Sequence, residues 1–336
     1  MPSRFPIMLS VIIFTLGGMT GLDAVNRVAA QETAPQPSAS SAASAPLGAN
    51  RVMDFDGDGK SDYAVIRDTA GAMSWYLLRS NLGFSGSQWG ITSDVAVPAD
   101  YDGDGKADIA VWRPGAQGFF YVLRSSNGTV NSIPFGTTND DPRVTQDFDG
   151  DGKADPAVTR FTGSPATKTW FIQRSLLGFT SVLFGNTSDI SIRGDYDGDG
   201  KADVAVYRTT SGNPANTFFV IRSSNGTVQS QTWGTWATDN VLPGDFDGDG
   251  KTDFAVFRQG TWYWLRSSDQ QLGVMVFGFS NDQAAPGDYD GDGKTDPAVW
   301  RPNNSTFYAQ RSMLGFVTTP FGITNDSPVA NTLQVR

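Results

Sequence analysis

Six times along the chain the run Asp-(Phe/Tyr)-Asp-Gly-Asp-Gly-Lys-x-Asp recurs, starting at Asp54, Asp100, Asp147, Asp195, Asp245 and Asp288. A hard cation such as Ca²⁺ takes about six to eight oxygen ligands, and EF-hand loops take many of theirs from alternate positions of one short loop. Carboxylates at positions 1, 3, 5 and 9, with a backbone carbonyl at position 7, would supply most of such a set. The carboxylates are Asp54, Asp56, Asp58 and Asp62 in the first loop, and Asp100, Asp102, Asp104 and Asp108 in the second. The third and fourth loops hold Asp147, Asp149, Asp151 and Asp155, then Asp195, Asp197, Asp199 and Asp203. The last two hold Asp245, Asp247, Asp249 and Asp253, then Asp288, Asp290, Asp292 and Asp296. At position 7 stand Lys60, Lys106, Lys153, Lys201, Lys251 and Lys294, which would offer a carbonyl and not an ammonium. Glycines between the acids allow the sharp reversal that turns alternate side chains toward one point. No Glu stands at position 12, so this is not an EF-hand. A single Asp-Gly-Asp-Gly is an ordinary turn. Four carboxylates crowded into each of six loops repel one another unless a cation sits among them.

The elements that position these loops repeat with them, at spacings of 46, 47, 48, 50 and 43 residues. Each loop runs into x-Ala-Val-x-Arg, as in Ile109-Ala110-Val111-Trp112-Arg113, which suits a buried strand. An aromatic strand ending in Arg-Ser follows, for example Trp75 to Ser80, then a third strand closing on Phe-Gly or Trp-Gly. Asn127-Gly128 and Asn225-Gly226 mark tight hairpins between these two strands. A short segment such as Val95 to Tyr101 leads into the next loop, giving four strands per period. That arithmetic predicts an all-β fold, a β-propeller of six four-stranded blades over 49–336 with the Asp loops in its hairpins. An open β-solenoid is the alternative, but its coils are usually shorter. The segment Ser327 to Val335 resembles the one before each loop, yet Thr332 stands where the loop's first Asp belongs. It is expected to be a strand that pairs with the first blade and closes the ring. Six blades is the simplest count, and a composite seventh stays open.

The chain has no cysteine and no histidine, which removes disulfides, thiolate nucleophiles and every imidazole base. Its formal net charge of −10 disfavours nucleic acid as a partner. Residues 1–30 read as a secretory signal peptide: Arg4, an apolar run from Phe5 to Leu22, and Val28-Ala29-Ala30 before the cut. An uncleaved membrane anchor is the alternative reading of that run. After cleavage no stable membrane insertion is expected, and the protein would be secreted, extracellular or in the cell envelope. Residues 31–48, rich in Ser, Ala, Pro and Gln, read as a flexible linker. Without the first thirty residues the chain holds 23 basic and 34 acidic groups, a net of −11. The loops own 24 of those acids, so six calcium ions would bring the net charge to +1.

At these motifs the chain resembles the FG-GAP/VCBS repeat family, which includes the propeller heads of integrin α subunits and several fungal and bacterial lectins. The resemblance spans Asn50 to about Val335. It implies four-stranded blades with calcium in the hairpin between the first and second strands, and adhesion or ligand binding as the commonest role. Such repeats also accompany catalytic domains in larger proteins, whereas here no segment is left over for one. The expected function is therefore a non-enzymatic binding or adhesion module, lectin-like or protein-binding, with an extracellular glycan or protein ligand. A purely structural envelope or matrix role is the alternative, with a polysaccharide lyase or hydrolase behind it.

Two further sets could bind something else. Arg67, Arg113, Arg160, Arg208, Arg258 and Arg301 recur as regularly as Asp94, Asp140, Asp189, Asp239, Asp282 and Asp326, so pairing between them outweighs an anion or sugar site. Trp75, Trp112, Trp262, Trp264 and Trp300 are less regular, and rings among them that are exposed would stack on a sugar; otherwise they are core.

Overall fold

The computed structural model describes residues 53–209, 215–235 and 239–333. The signal peptide expected at 1–30, the alternative anchor and the linker at 31–48 lie outside those residues.

Each x-Ala-Val-x-Arg run is a strand apolar on both faces, because both faces are covered. Val111 packs with Met73 and Trp75 of the preceding blade, while Ala110 and Trp112 pack with Val158 of the following one. Blade 2 orders its strands Val95–Ala96, Ile109–Arg113, Phe119–Leu123 and Val130–Pro134, each antiparallel to the next. Blades 4, 5 and 6 repeat this order, beginning at Asp189–Ile192, Asn240–Val241 and Gln283–Ala284. Blade 3 keeps Ala157–Thr162, Thr167–Arg174 and Gly178–Asn186 but lacks a regular inner strand. The stretch from Asp140 to Asp147 is one residue longer than its counterpart from Asp94 to Asp100, and Pro142 has no N–H to give a ladder. Isolated bridges, Asp141 to Thr159 and Gln146 to Asp155, take its place.

Blade 1 consists of Tyr63–Thr69, Ala72–Arg79 and Gly83–Ile91, closed by the C-terminal strand Ser327–Pro328. Ser327 pairs with Ile66 and Pro328 with Val65. The expected strand from Ser327 to Val335 is cut short. Asp62 donates its N–H to Met53 O, the role Ala99 O plays for Asp108, so the N-terminal side of the ring holds the rest of the inner-strand path. The chain turns instead into a one-turn helix, Val329–Thr332. Arg143 of blade 3 donates its Nε to Thr332 O, and Asn331 Nδ2 donates to Gln283 Oε1 of blade 6.

Six backbone hydrogen bonds join successive loops. The N–H groups of Ala107, Ala154, Ala202, Thr252, Thr295 and Ser61 reach the carbonyls of Asp54, Asp100, Asp147, Asp195, Asp245 and Asp288, at 2.5–2.7 Å. The last bond runs from loop 1 to loop 6, so the ring closes at six blades among the described residues.

The periodic arginines and aspartates pair as forks. Arg113 meets Asp94 through Nε and Nη2, both at 2.8 Å, and Arg67 meets Asp326 at 2.7 and 2.9 Å. Arg160, Arg208, Arg258 and Arg301 meet Asp140, Asp189, Asp239 and Asp282 likewise. Each acid also accepts an N–H from the turn just before it, as Asp94 does from Ile91. The fork thus ties the end of one blade to the second strand of the next. Gly322 shows why Phe-Gly recurs: its φ is +100°, and a Cβ there would lie 3.1 Å from Asp326 Oδ2.

Candidate metal centre

Position 1 is clamped by its own loop. Asp54 Oδ1 accepts the Gly57 N–H at 2.6 Å, and Oδ2 accepts that of Gly59 at 2.9 Å. Gly57 has φ +78°, which favours glycine, and a Cβ there would meet Lys106 Cγ at 3.0 Å. The stem of Lys106 therefore lies across the preceding loop. Lys153, Lys201, Lys251, Lys294 and Lys60 lie in the same way over Gly103, Gly150, Gly198, Gly248 and Gly291.

Position 9 links the loop to the turn after the third strand. Asp62 accepts Phe55 N–H on Oδ2 and Ser80 N–H on Oδ1. Ser80 also donates its hydroxyl to position 5, Asp58 Oδ2, while Lys60 N–H takes Asp58 Oδ1. At position 3, Asp56 Oδ2 accepts both Asn81 and Leu82 N–H at 2.9 Å. The serines Ser125, Ser175, Ser223, Ser267 and Ser312 repeat the role of Ser80. Sequence reasoning had the signal for them, the Arg-Ser that ends every aromatic strand, but not the connection to the loop.

In four of the six cages one oxygen is left over, while in the other two Asp197 Oδ1 and Asp247 Oδ1 accept the N–H of Asp199 and Asp249. Oδ1 of Asp56, Asp102, Asp149 and Asp290 is buried and accepts no hydrogen bond. Carboxylate oxygens of Asp54, Asp56 and Asp58, of Asp100, Asp102 and Asp108, and of Asp147, Asp149 and Asp155 lie within 4.8 Å of one another. The same holds for Asp195, Asp197 and Asp199, and for Asp245, Asp247 and Asp253. A buried acceptor without a donor is costly, and a cation is the partner a carboxylate crowd can share. The residues present therefore fit a hard divalent ion. Burial raises Asp62, Asp155, Asp253 and Asp296 to about 7, against the pull of the backbone N–H groups on them and with added repulsion from neighbouring aspartates. Asp100 and Asp203 rise to about 6 for the same first reason.

A family model described as an FG-GAP-like repeat matches residues 54–111 and 195–256. Over those two stretches the chain is similar to FG-GAP-like repeats. Each matched stretch runs from one Asp loop into the strand after the next, and the loops at Asp147 and Asp288, outside them, carry the same residues. Comparison with curated proteins gives no match. Among solved structures the chain is similar to AofleA from Arthrobotrys oligospora, at 11% identity over 77% of this chain and 81% of that one, TM-score 0.45. It is also similar to a catalytically inactive virginiamycin B lyase from Staphylococcus aureus with quinupristin, at 10% identity, covering 83% and 95%, TM-score 0.46. A third is the propeller domain of the Trilobed protease from Pyrococcus furiosus, at 11%, covering 80% and 98%, TM-score 0.33.

Burial in the blades corrects the tryptophan expectation. Trp75, Trp112, Trp262 and Trp300 are at most 2% exposed and offer no face to a sugar. Their Nε1 groups donate to the carbonyls of Trp89, Phe135, Phe277 and Phe321, and Trp170 does the same to Phe184. Trp112 and Trp300 sit on the second strand, Trp75, Trp170 and Trp262 on the third, always at one cross-strand pair. The irregular spacing is thus one ring supplied from either side of the same pair. Trp264 is half-buried, stacked on Phe246 with centroids 5.2 Å apart.

Proposed function

We propose that the chain is a secreted, calcium-binding propeller that serves as a non-enzymatic binding or adhesion module, with a glycan or protein as ligand. The observation that carries the calcium reading is the buried, partnerless Oδ1 of four position 3 aspartates, Asp56, Asp102, Asp149 and Asp290, set among carboxylate oxygens from the same loop. Position 1, 3, 5 and 9 aspartates would hold the ion, and the ion would supply charge neutralisation and a rigid crossing point for each loop. The loop backbone and the Ser80-type turns orient the carboxylates, so the ion would tie three segments of each blade together. Extracellular calcium modules bind with dissociation constants of about 10⁻⁴ to 10⁻³ M, which matches calcium outside cells. Among the described residues no helix is long and apolar enough to cross a membrane.

Support for binding over catalysis comes from the acids themselves. The loop aspartates form the cages, and six more are forked to arginine, which leaves no isolated carboxylate pair of the kind glycoside cleavage uses among these sets. The test is metal analysis of the purified chain after equilibration with millimolar calcium. About six equivalents per chain is expected, and fewer than three would contradict the reading.

A further inference from the structure

A cavity of about 300 Å³ opens between blades 3 and 4, lined by the strand ends farthest from the Asp loops. Three residues that break the repeat meet there. Lys168 stands where the other blades have Met73, Gly118, Asn216, Gly260 and Ser305. Phe161 stands where they have Asp68, Pro114, Thr209, Gln259 and Pro302, and the residue is 50% exposed. Asp141 belongs to the lengthened inner segment peculiar to blade 3.

Lys168 is 6% exposed, and its Nζ donates to Asp189 O at 2.6 Å and Ser191 Oγ at 2.9 Å. An ammonium carries three N–H groups, so one remains beyond these two. Burying a lysine costs free energy, and the other five blade junctions are made without one. The ring of Phe161 lies beside it, 5.4 Å from Nζ to the centroid. Across the cavity Asp141 spends Oδ1 on Arg143 N–H and Nη1, which leaves Oδ2. Thr187, Ser188 and Asn139 add hydroxyl and amide groups at the rim. The charged groups of the lining, Asp141 and Asp189 against Arg160 and Lys168, balance.

We propose that this cavity binds a neutral polyol of monosaccharide size, with Lys168 and Asp141 as its hydrogen-bonding pair and Phe161 as its apolar wall. A hydroxyl both gives and accepts, so one diol can take the spare N–H of Lys168 and donate to Asp141. A half-exposed aromatic ring covers the C–H face of a sugar. Balanced charge disfavours an ionic ligand, and the volume lies at the lower end of small-molecule sites. The assignment rests on the reading of the chain as a binding module.

The test uses the calcium-loaded chain, residues 31–336, with a panel of methyl pyranosides observed by saturation-transfer NMR and titrated by calorimetry. At least one glycoside is expected to bind, and Lys168→Met, which installs the blade 1 residue, should weaken it about tenfold or more. Phe161→Thr, which installs the blade 4 residue, should weaken it similarly, with the melting temperature of both variants close to that of the parent. If no pyranoside binds at millimolar concentration, or if both variants bind as the parent does, the cavity assignment falls. Bound calcium counted on the same sample separates the two claims: six ions without sugar binding overturns the cavity alone.

Discussion

At the residue scale, the position 3 aspartate is where the loop's chemistry is most exposed to test. Asp56 has one oxygen fixed by two N–H groups and the other buried without a partner. Asp56→Asn replaces a charged ligand with a neutral one and should lose one calcium ion of six. At ten times the dissociation constant one site is worth about 1.4 kcal/mol, so we expect a melting temperature lower by a few degrees only in the presence of calcium. An equal drop in chelator would place the effect in the fold and not in the ion. Arg301 bears on the other set of acids. Asp282 has no side-chain exposure and its fork with Arg301 is the main compensation for its charge. Arg301→Ala should cost about 3 to 5 kcal/mol by urea unfolding, because it strands a buried carboxylate. A loss below about 1 kcal/mol would mean that water reaches Asp282. Trp75→Ala should likewise cost about 3 to 5 kcal/mol, the expectation for a core ring and not for a sugar platform. The clustering of the loop aspartates and the pairing of the periodic Arg and Asp residues were legible because each repeats in register with the others. The tryptophans misled because one structural task is shared between two strands, which a linear spacing cannot show.

At the element scale, the inner strands carry the closure. Four-stranded blades followed from four apolar runs per period, and the placement of each Asp loop between the first and second strands followed from the resemblance. The pairing of Ser327 and Pro328 with blade 1 was legible too, since the chain's end repeats the segment that precedes each loop. Its early stop was not, because that depends on Met53 arriving from the other end of the ring. Blade 3's missing inner strand had a local sign, Pro142 in a lengthened segment, whose consequence appears only when the ladder is drawn. Removing 325–336 deletes the pairing to Ile66 and Val65 and the Asp326 fork to Arg67. The freed edge of blade 1 should lower the melting temperature and promote association through strand pairing, visible as a shift to higher mass in light scattering. A truncated chain that stays monomeric with an unchanged melt would show that closure is carried elsewhere.

At the scale of the whole molecule, the acidity and the architecture are one design. Twenty-four carboxylates stand in six loops that also hydrogen bond to one another around the ring, so repulsion within one loop bears on the next through bonds such as Ala107 N–H to Asp54 O. Six sites held at ten times the dissociation constant would add about 8 kcal/mol, comparable to the whole stability of an ordinary domain. The most direct measurement is a thermal melt of the chain in excess calcium and again in excess chelator, at fixed ionic strength. We expect a melting temperature lower by well over 10 °C in chelator, restored by adding calcium back. Equal melting temperatures in the two conditions would contradict the claim that calcium is part of the fold.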